Sequence, residues 1–391
     1  MQLHAEPFVE VDSQEWDTLV EASPEAWFYH LARWVELEAR YNRCRNYSFL
    51  IRAAQGKPLA LMPLYLTDLP LAHFTEWLLH SGLNRHTGLA ITPDLDYRAR
   101  RKVQSFAIKE IFRIAQATHT DRIQLNAQNL APANLPPHRR DIPFFVADHH
   151  FYFGLYMTPN GIAPAPAKAS CNADQIIMLH HDEDTLMARV ESAAMRQVRK
   201  AQRAGVEVAE VGLDAFPQVM ALRRAALAHG AQTLMPEAYY RAIAEDDNYH
   251  VLVATYRGKP IGAAEILVYK SAATGFGGFG IKARRALGYN DLLQWQAILW
   301  SKRRGLRFYR LGPHFPDLPT DALIYRKGWF KKKFGGASFH ILQGSYFLAP
   351  EKYAPERYAS VPLAPPPPPR IRTCVSIICH KLWAHIRSLI P

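Results

Sequence analysis

Apolar and polar residues alternate with a strand-like period in two stretches that read alike. Residues 49–65 run FLIRAAQGKPLALMPLY and residues 251–267 run VLVATYRGKPIGAAEIL. Each is an apolar run, a turn carrying Gly-Lys-Pro (Gly56-Lys57-Pro58 and Gly258-Lys259-Pro260) and a second apolar run. Alternation and turn chemistry both predict a β-hairpin. The period then lengthens to that of a helix over residues 107–117, leading into a strand at 122–125. The same change recurs over 297–304, leading into a strand at 307–311. Hairpin, helix and strand in one order, twice, predict an internal duplication.

The pattern fails over residues 159–168 (PNGIAPAPAK), where Pro, Gly and Ala displace every periodic signal. The expected division is therefore 1–165, 166–350 and a remainder, 351–391. Each of the first two predicts an α/β domain of mixed α+β character, a twisted mixed sheet flanked by helices. A chain of 391 residues accommodates two such cores. The remainder holds a proline run at 365–369, a stiff spacer. Beyond it, Ile371, Val375, Ile378, Leu382, Ile386 and Leu389 follow helical spacing beside Trp383. With Arg370, Arg372, Lys381 and Arg387 they predict a C-terminal amphipathic helix at 370–391 that lies on an anionic membrane.

Charge adds an anionic partner to this picture. Lys and Arg number 47 against 35 Asp and Glu, a net charge of +12. The four cysteines form no Cys-x-x-Cys pair, and neither His149/His150 nor His180/His181 has metal-ligand spacing, since adjacent side chains on a strand or helix diverge. No metal is expected. The first residues lack the basic and apolar regions of a signal peptide, and no apolar stretch is long enough to span a bilayer. The expectation is a cytoplasmic protein associated with the inner face of the membrane.

Three segments carry candidate chemistry. One helix is predicted from the acids at 182–184 to a stop at Gly205, with Leu186, Val190, Ala194, Val198 and Ala201 as its apolar stripe. Opposite them Arg196, Arg199, Lys200 and Arg203 form a cationic stripe free of acids, suited to a phosphate or pyrophosphate. A second segment passes from a glycine-rich strand at 273–279 through Arg285, Gly288 and Asn290 into a helix. Strand, short basic turn and helix N-terminus together make an anion-binding device, with Asn290 or Asp291 as the expected cap. A third, residues 325–336, interleaves aromatic residues with cations that include Lys331, Lys332 and Lys333; Phe330 and Phe334 share a helical face.

These residues resemble the FemAB-like and BioF-like acyltransferases of the GNAT (acyl-CoA N-acyltransferase) superfamily. Arg199-Lys200-Ala201-x-x-x-Gly205-Val206, the second hairpin, Gly288-Tyr289-x-x-x-Leu293 and Lys331-x-x-Phe334-Gly335 follow the family's order. Phe28, Trp34 and Pro63-Leu64-Tyr65 match its opening, so the resemblance covers about residues 20–348. It implies two tandem GNAT-like domains, the first degenerate. It implies transfer of an acyl or aminoacyl group to an amine of a phosphorylated or lipid-linked cell-wall or polysaccharide precursor. Acyl-CoA or aminoacyl-tRNA would be the co-substrate, with no permanently bound cofactor. Arg285, Gly288 and Asn290 then correspond to the donor's pyrophosphate turn, and Lys331 to the family lysine that would stabilise an oxyanion. Glu265 is a weaker candidate base, expected to pair with an arginine. The alternative is a non-catalytic protein of this fold that binds carbohydrate or tRNA.

Overall fold

The computed structural model describes residues 1–70, 74–83, 85–136, 152–153, 155–158, 161–164, 173–227, 234–314, 323–349 and 352. The tail helix expected at 370–391 and the histidines His149 and His150 lie outside these residues. Both hairpins are present: Phe49–Ala53 pairs with Pro58–Met62, and Tyr249–Tyr256 with Lys259–Tyr269. Gly56 and Gly258 sit in their turns at φ 84° and 70°, which only glycine adopts without a Cβ penalty.

The second domain is one seven-stranded sheet. Its strands lie in the order Val206–Val211, Tyr249–Tyr256, Lys259–Tyr269, Ala272–Gly280, Phe308–His314, Ala173–Met178 and Ala337–His340. Alternation sorts its two faces. Leu252 and Ala254 join the core made by the helices Ser192–Arg203 and Tyr289–Arg303. Val251 and Val253 point the other way, onto Val219 and Leu222 of the helix Phe216–Leu227. The first domain repeats the plan with its sheet in two parts. Leu3–Pro7, Phe49–Ala53, Pro58–Met62 and Ala90–Ile91 form one. Arg45–Asn46, Tyr65–Pro70, Thr75–His80, Arg122–Asn126, Gln343–Phe347 and Tyr152–Phe153 form the other.

The two domains are joined by their strands. Gln343–Phe347, near the end of the second copy, pairs with Arg122–Asn126 of the first. Ala173–Met178 occupies the same place beside Phe308–His314 in the second sheet. Between the sheets Trp27, Phe28, Tyr29 and Trp34 pack with Tyr239, Leu267, Tyr269 and Phe308 in one core. Lys270 fastens it by donating to the carbonyls of Val20 (2.8 Å) and Ser23 (2.7 Å), the open C-terminal end of a first-domain helix.

Three local expectations need correction. The helix expected across 182–205 is two helices, Glu183–Ala188 and Ser192–Arg203. The amide of Glu191, which a continuous helix would give to Met187, instead donates to the Lys333 carbonyl at 2.8 Å. Within the supposed break, Gly161–Pro164 is a strand that pairs antiparallel with Leu155–Thr158 just before it. His180 and His181 do not diverge, because they lie in a turn, and their ring centroids are 4.0 Å apart.

Buried histidines give the fold an acid limit. Burial pushes His30 and His86 down to about 4 and His80 to about 3. In the unfolded chain they would protonate near the ordinary histidine value, so below it only the unfolded chain takes up protons. Stability is complete above about pH 6.5 and is lost as pH falls towards 4, by about 1.4 kcal/mol per pH unit for each histidine. Chemical denaturation at pH 7, 6, 5 and 4.5 should show this fall. A flat profile would mean that these imidazoles are already charged in the native state.

Candidate functional site

The second domain opens where two parallel strands part. Ala272–Gly280 pairs with Phe308–His314 only from Ala272 to Thr274 and from Phe308 to Arg310. Beyond Thr274 and Arg310 each strand follows its other neighbour, and a bulge on each drives the divergence. Pairing with Lys259–Tyr269 skips Phe276, and pairing with Ala173–Met178 skips Leu311. A bulge bends its strand and increases its twist, so two bulges on opposite sides of one seam split the sheet.

Residues at the apex hold the split in place. Arg310 pairs with Asp174 at 2.6 Å, and Asn129 of the first domain donates to the same carboxylate at 2.9 Å. Burial pushes the Asp174 carboxyl up, but Arg310 and Asn129 outweigh it and hold the group below its ordinary value. From the first domain Arg85 lies over the bulge residue Phe276, 4.6 Å from the ring centroid, and over Trp34 at 4.8 Å.

The expected turn forms one wall. Lys282–Leu287 is a 3-10 turn, Gly288 takes φ 80°, and the helix Tyr289–Arg303 begins at once. A Cβ on Gly288 would lie 2.6 Å from the Gln197 carbonyl oxygen, so glycine lets the turn meet the basic helix. Tyr289 anchors this helix end in the space left by Gly262 and Gly280, where a Cβ would overlap its ring. Neither Asn290 nor Asp291 caps the helix. Gly288 holds the capping position with no side-chain bond, and Asp291 is drawn away to a buried ion pair with Lys333 at 2.5 Å. The amides of Asp291 and Leu292 donate to the Gly288 carbonyl, which leaves those of Tyr289 and Asn290 for an anion. Arg285 is exposed beside them. The stripe of Arg196, Arg199, Lys200 and Arg203 is exposed and makes no ion pair among the described residues, whereas Ala194, Val198 and Ala201 are buried.

The lysine cluster forms the other wall. Lys331 extends its ammonium to the Pro313 carbonyl, 2.5 Å away, at the parted end of the strand. Gly312, at φ 105°, leaves the space, since a Cβ there would lie 3.1 Å from the ammonium. Lys333 turns inward to Asp291 and Lys332 is exposed, so of the three lysines Lys331 reaches the parted strand. Phe330 and Phe334 do share a face, with ring centroids 5.5 Å apart.

Sequence reading missed His314, next to Pro313. Its Nε2 lies 2.9 Å from Ser338 Oγ, which donates in turn to Gln175 Oε1 at 3.1 Å. The hydroxyl proton is thus engaged, so Nε2–H donates and Nδ1 is left an acceptor, buried and without a partner among the described residues. Burial, and then Lys332, push this imidazole down to about 4. No periodicity marks such a residue; its setting is made by Ser338 and Gln175 on other strands. Glu265 lies buried in mid-strand, paired with Arg223 and accepting from Tyr249. The expected pairing with an arginine is present.

The parted parallel strands, the glycine turn and the following helix of the second domain make up the GNAT architecture, and the first domain repeats its strand plan in tandem. Residues 188–318 match the family model of the acetyltransferase (GNAT) domain. Lys331 lies beyond that match. The chain shares its whole fold with the crystal structure of FemX at 14% identity and a TM-score of 0.62, covering 92% of this chain and 100% of that one. L-PGS from Bacillus licheniformis has a TM-score of 0.51 at 11% identity, covering 86% and 92%. The C-terminal domain of a putative lysylphosphatidylglycerol synthetase from Agrobacterium fabrum has a TM-score of 0.49 at 14% identity, covering 85% and 91%. No curated protein matches the sequence. Residues 188–318 thus carry a GNAT domain, and the fold of the chain is like that of FemX, the kind of fold the motif order implied. Among the described residues no helix is long and apolar enough to cross a membrane.

Gly288→Ala tests the junction of turn and basic helix. The left-handed backbone and the Gln197 carbonyl both oppose a methyl group, so destabilisation of about 1–3 kcal/mol is expected in urea denaturation. Unchanged stability would show that the turn and helix are not in contact.

Proposed function

We propose that this chain transfers an acyl or aminoacyl group from an activated donor to an amine of a cell-envelope or polysaccharide precursor. The supporting observation is the placement of Lys331 at the parted end of Phe308–His314, with the Gly288 turn forming the opposite wall. The donor's phosphates lie on the turn at Arg285, Gly288 and Asn290. The stripe of Arg196, Arg199, Lys200 and Arg203 continues that basic surface along the adjoining helix.

The donor is an aminoacyl-tRNA ester or an acyl-CoA-like thioester. The acceptor amine attacks the donor carbonyl, forming a C–N bond and placing negative charge on oxygen. The Lys331 ammonium stabilises that oxyanion. Collapse re-forms the carbonyl and expels the ribose hydroxyl or the thiol. The attacking amine gives up one proton to solvent and the departing ribose oxygen or sulfur takes one up, so the transfer balances without a protein base. The acceptor is a phosphorylated or lipid-linked precursor, and the reaction takes place at the cytoplasmic face of the membrane.

Transfer assayed with each donor class and a lipid- or nucleotide-linked amine acceptor tests this reading. No product with any pairing would favour a non-catalytic binding protein instead. Lys331→Ala should lower transfer at least 100-fold with no change in melting temperature, because its side chain is partly exposed at the cleft. Lys333→Ala should do the opposite first. It leaves Asp291 buried without its partner and should destabilise the fold by about 3 kcal/mol or more. Full activity in Lys331→Ala removes this residue from the mechanism.

Paired charge reversal, Arg199→Glu with Arg203→Glu, should raise KM for the phosphate-bearing substrate at least 10-fold and change kcat far less. The stripe holds substrate equally in ground and transition states. A fall in kcat at constant KM would contradict that role.

A further inference from the structure

We propose that the first domain carries a docking surface for an anionic phospholipid membrane, centred on the helix Tyr97–Ala117 and separate from the transfer site. A groove of about 740 Å³ runs between this helix and the first strand, lined by Leu3, Tyr97, Arg98, Lys102, Phe106 and Lys109 among others. Neither the repeat nor the second domain's chemistry uses it. The helix buries Val103, Ala107, Ile111 and Ile114 against its own sheet. Arg98, Lys102, Ser105 and Lys109 are spaced by four, three and four residues, so they form one outward stripe.

The composition of this stripe selects the partner. Arg98, Lys102 and Lys109 are exposed and make no ion pair among the described residues, and no acid lines the groove. By contrast, Arg100 and Arg113 on the same helix are neutralised by Glu25 and Glu110. Apolar groups stand between the free cations: Tyr97 is 80% exposed, Met1 53%, and Leu3 and Phe106 are half-buried. Large exposed apolar side chains inside a cationic rim match a surface with phosphates at its rim and hydrocarbon beneath. A phosphodiester backbone would satisfy the cations but leave the apolar floor exposed to water. Each basic side chain near an anionic leaflet contributes on the order of 1 kcal/mol, so the three together account for about 100-fold in affinity.

Full-length protein is mixed with phosphatidylglycerol-containing vesicles, with phosphatidylcholine vesicles and with bulk tRNA, as wild type and as the triple variant Arg98→Glu, Lys102→Glu, Lys109→Glu. The expected result is binding to anionic vesicles that weakens at least 10-fold in the triple variant, with an unchanged melting temperature. In a second variant, Tyr97→Trp, the new indole should shift to shorter emission wavelength on anionic vesicles and be quenched by lipid-borne quenchers. Equal vesicle binding by wild type and triple variant overturns the proposal, because another segment then does the anchoring. Loss of tRNA binding with vesicle binding retained also overturns it and assigns the stripe to nucleic acid. Indole emission in Tyr97→Trp that ignores the vesicles overturns the insertion of this position into the lipid.

Discussion

The buried Asp174–Arg310 pair is the constraint on which the open cleft depends. Arg310 is the last residue at which the two parallel strands still pair, and Asp174 lies on the strand that draws the other side away. A sheet gains hydrogen bonds by staying closed, so a split needs a fixed reason to stay open. Here each parted strand finds partners elsewhere, and the bulges at Phe276 and Leu311 set the direction of the bend. The ion pair fixes where the split begins, because removing either partner would leave a charge buried and alone. Asn129 ties the same carboxylate to the first domain, so the apex and the domain interface are one structure.

The first domain shows the same plan with the cleft closed. Thr75–His80 and Arg122–Asn126 are parallel over three residue pairs, as in the second domain. Where they would part, Asn126 laces them together. Its backbone amide donates to Ser81 Oγ at 2.8 Å, and its side chain donates to the carbonyls of Ser81 (3.1 Å) and Gly82 (2.7 Å). The short glycine turn is replaced by a longer connection that adds the strand Ala90–Ile91 and sends Arg85 across to Phe276. The copy that lost its own cleft thus supplies part of the wall of the other. This is a physical account of its degeneracy.

Local features of this fold were legible in the sequence and relational ones were not. The hairpins at Gly56 and Gly258 and the buried face of Ala194, Val198 and Ala201 follow from period and turn chemistry alone. The exchange of Gln343–Phe347 into the first sheet joins residues more than 200 positions apart, and no local pattern encodes it. The break at residue 190 has the same origin, since it is made by the Lys333 carbonyl. Within the site, glycines at 288 and 312 are visible as letters, but their purpose is the close approach of Gln197 and Lys331. His314 gives no signal, because its tautomer is dictated by Ser338 and Gln175.

Two groups stand out among the chain's cations. Arg122 with Glu76, Arg310 with Asp174, Arg223 with Glu265 and Lys333 with Asp291 are buried pairs that fix registry within each domain. Arg196, Arg199, Lys200 and Arg203 are exposed and have no acids to neutralise them among the described residues, as are Arg98, Lys102 and Lys109. Unneutralised stripes repel internally and weaken their own helices by a few tenths of a kcal/mol per pair. Salt screens part of that cost, and an anion bound along the stripe would relieve the rest. One stripe adjoins the Gly288 turn and the other lies on the first domain, along a groove of mixed apolar and cationic lining. Each stripe thus presents unneutralised cations on its own domain, one on the domain that keeps the cleft and one on the domain that closed it, and the two proposals assign them separate anions.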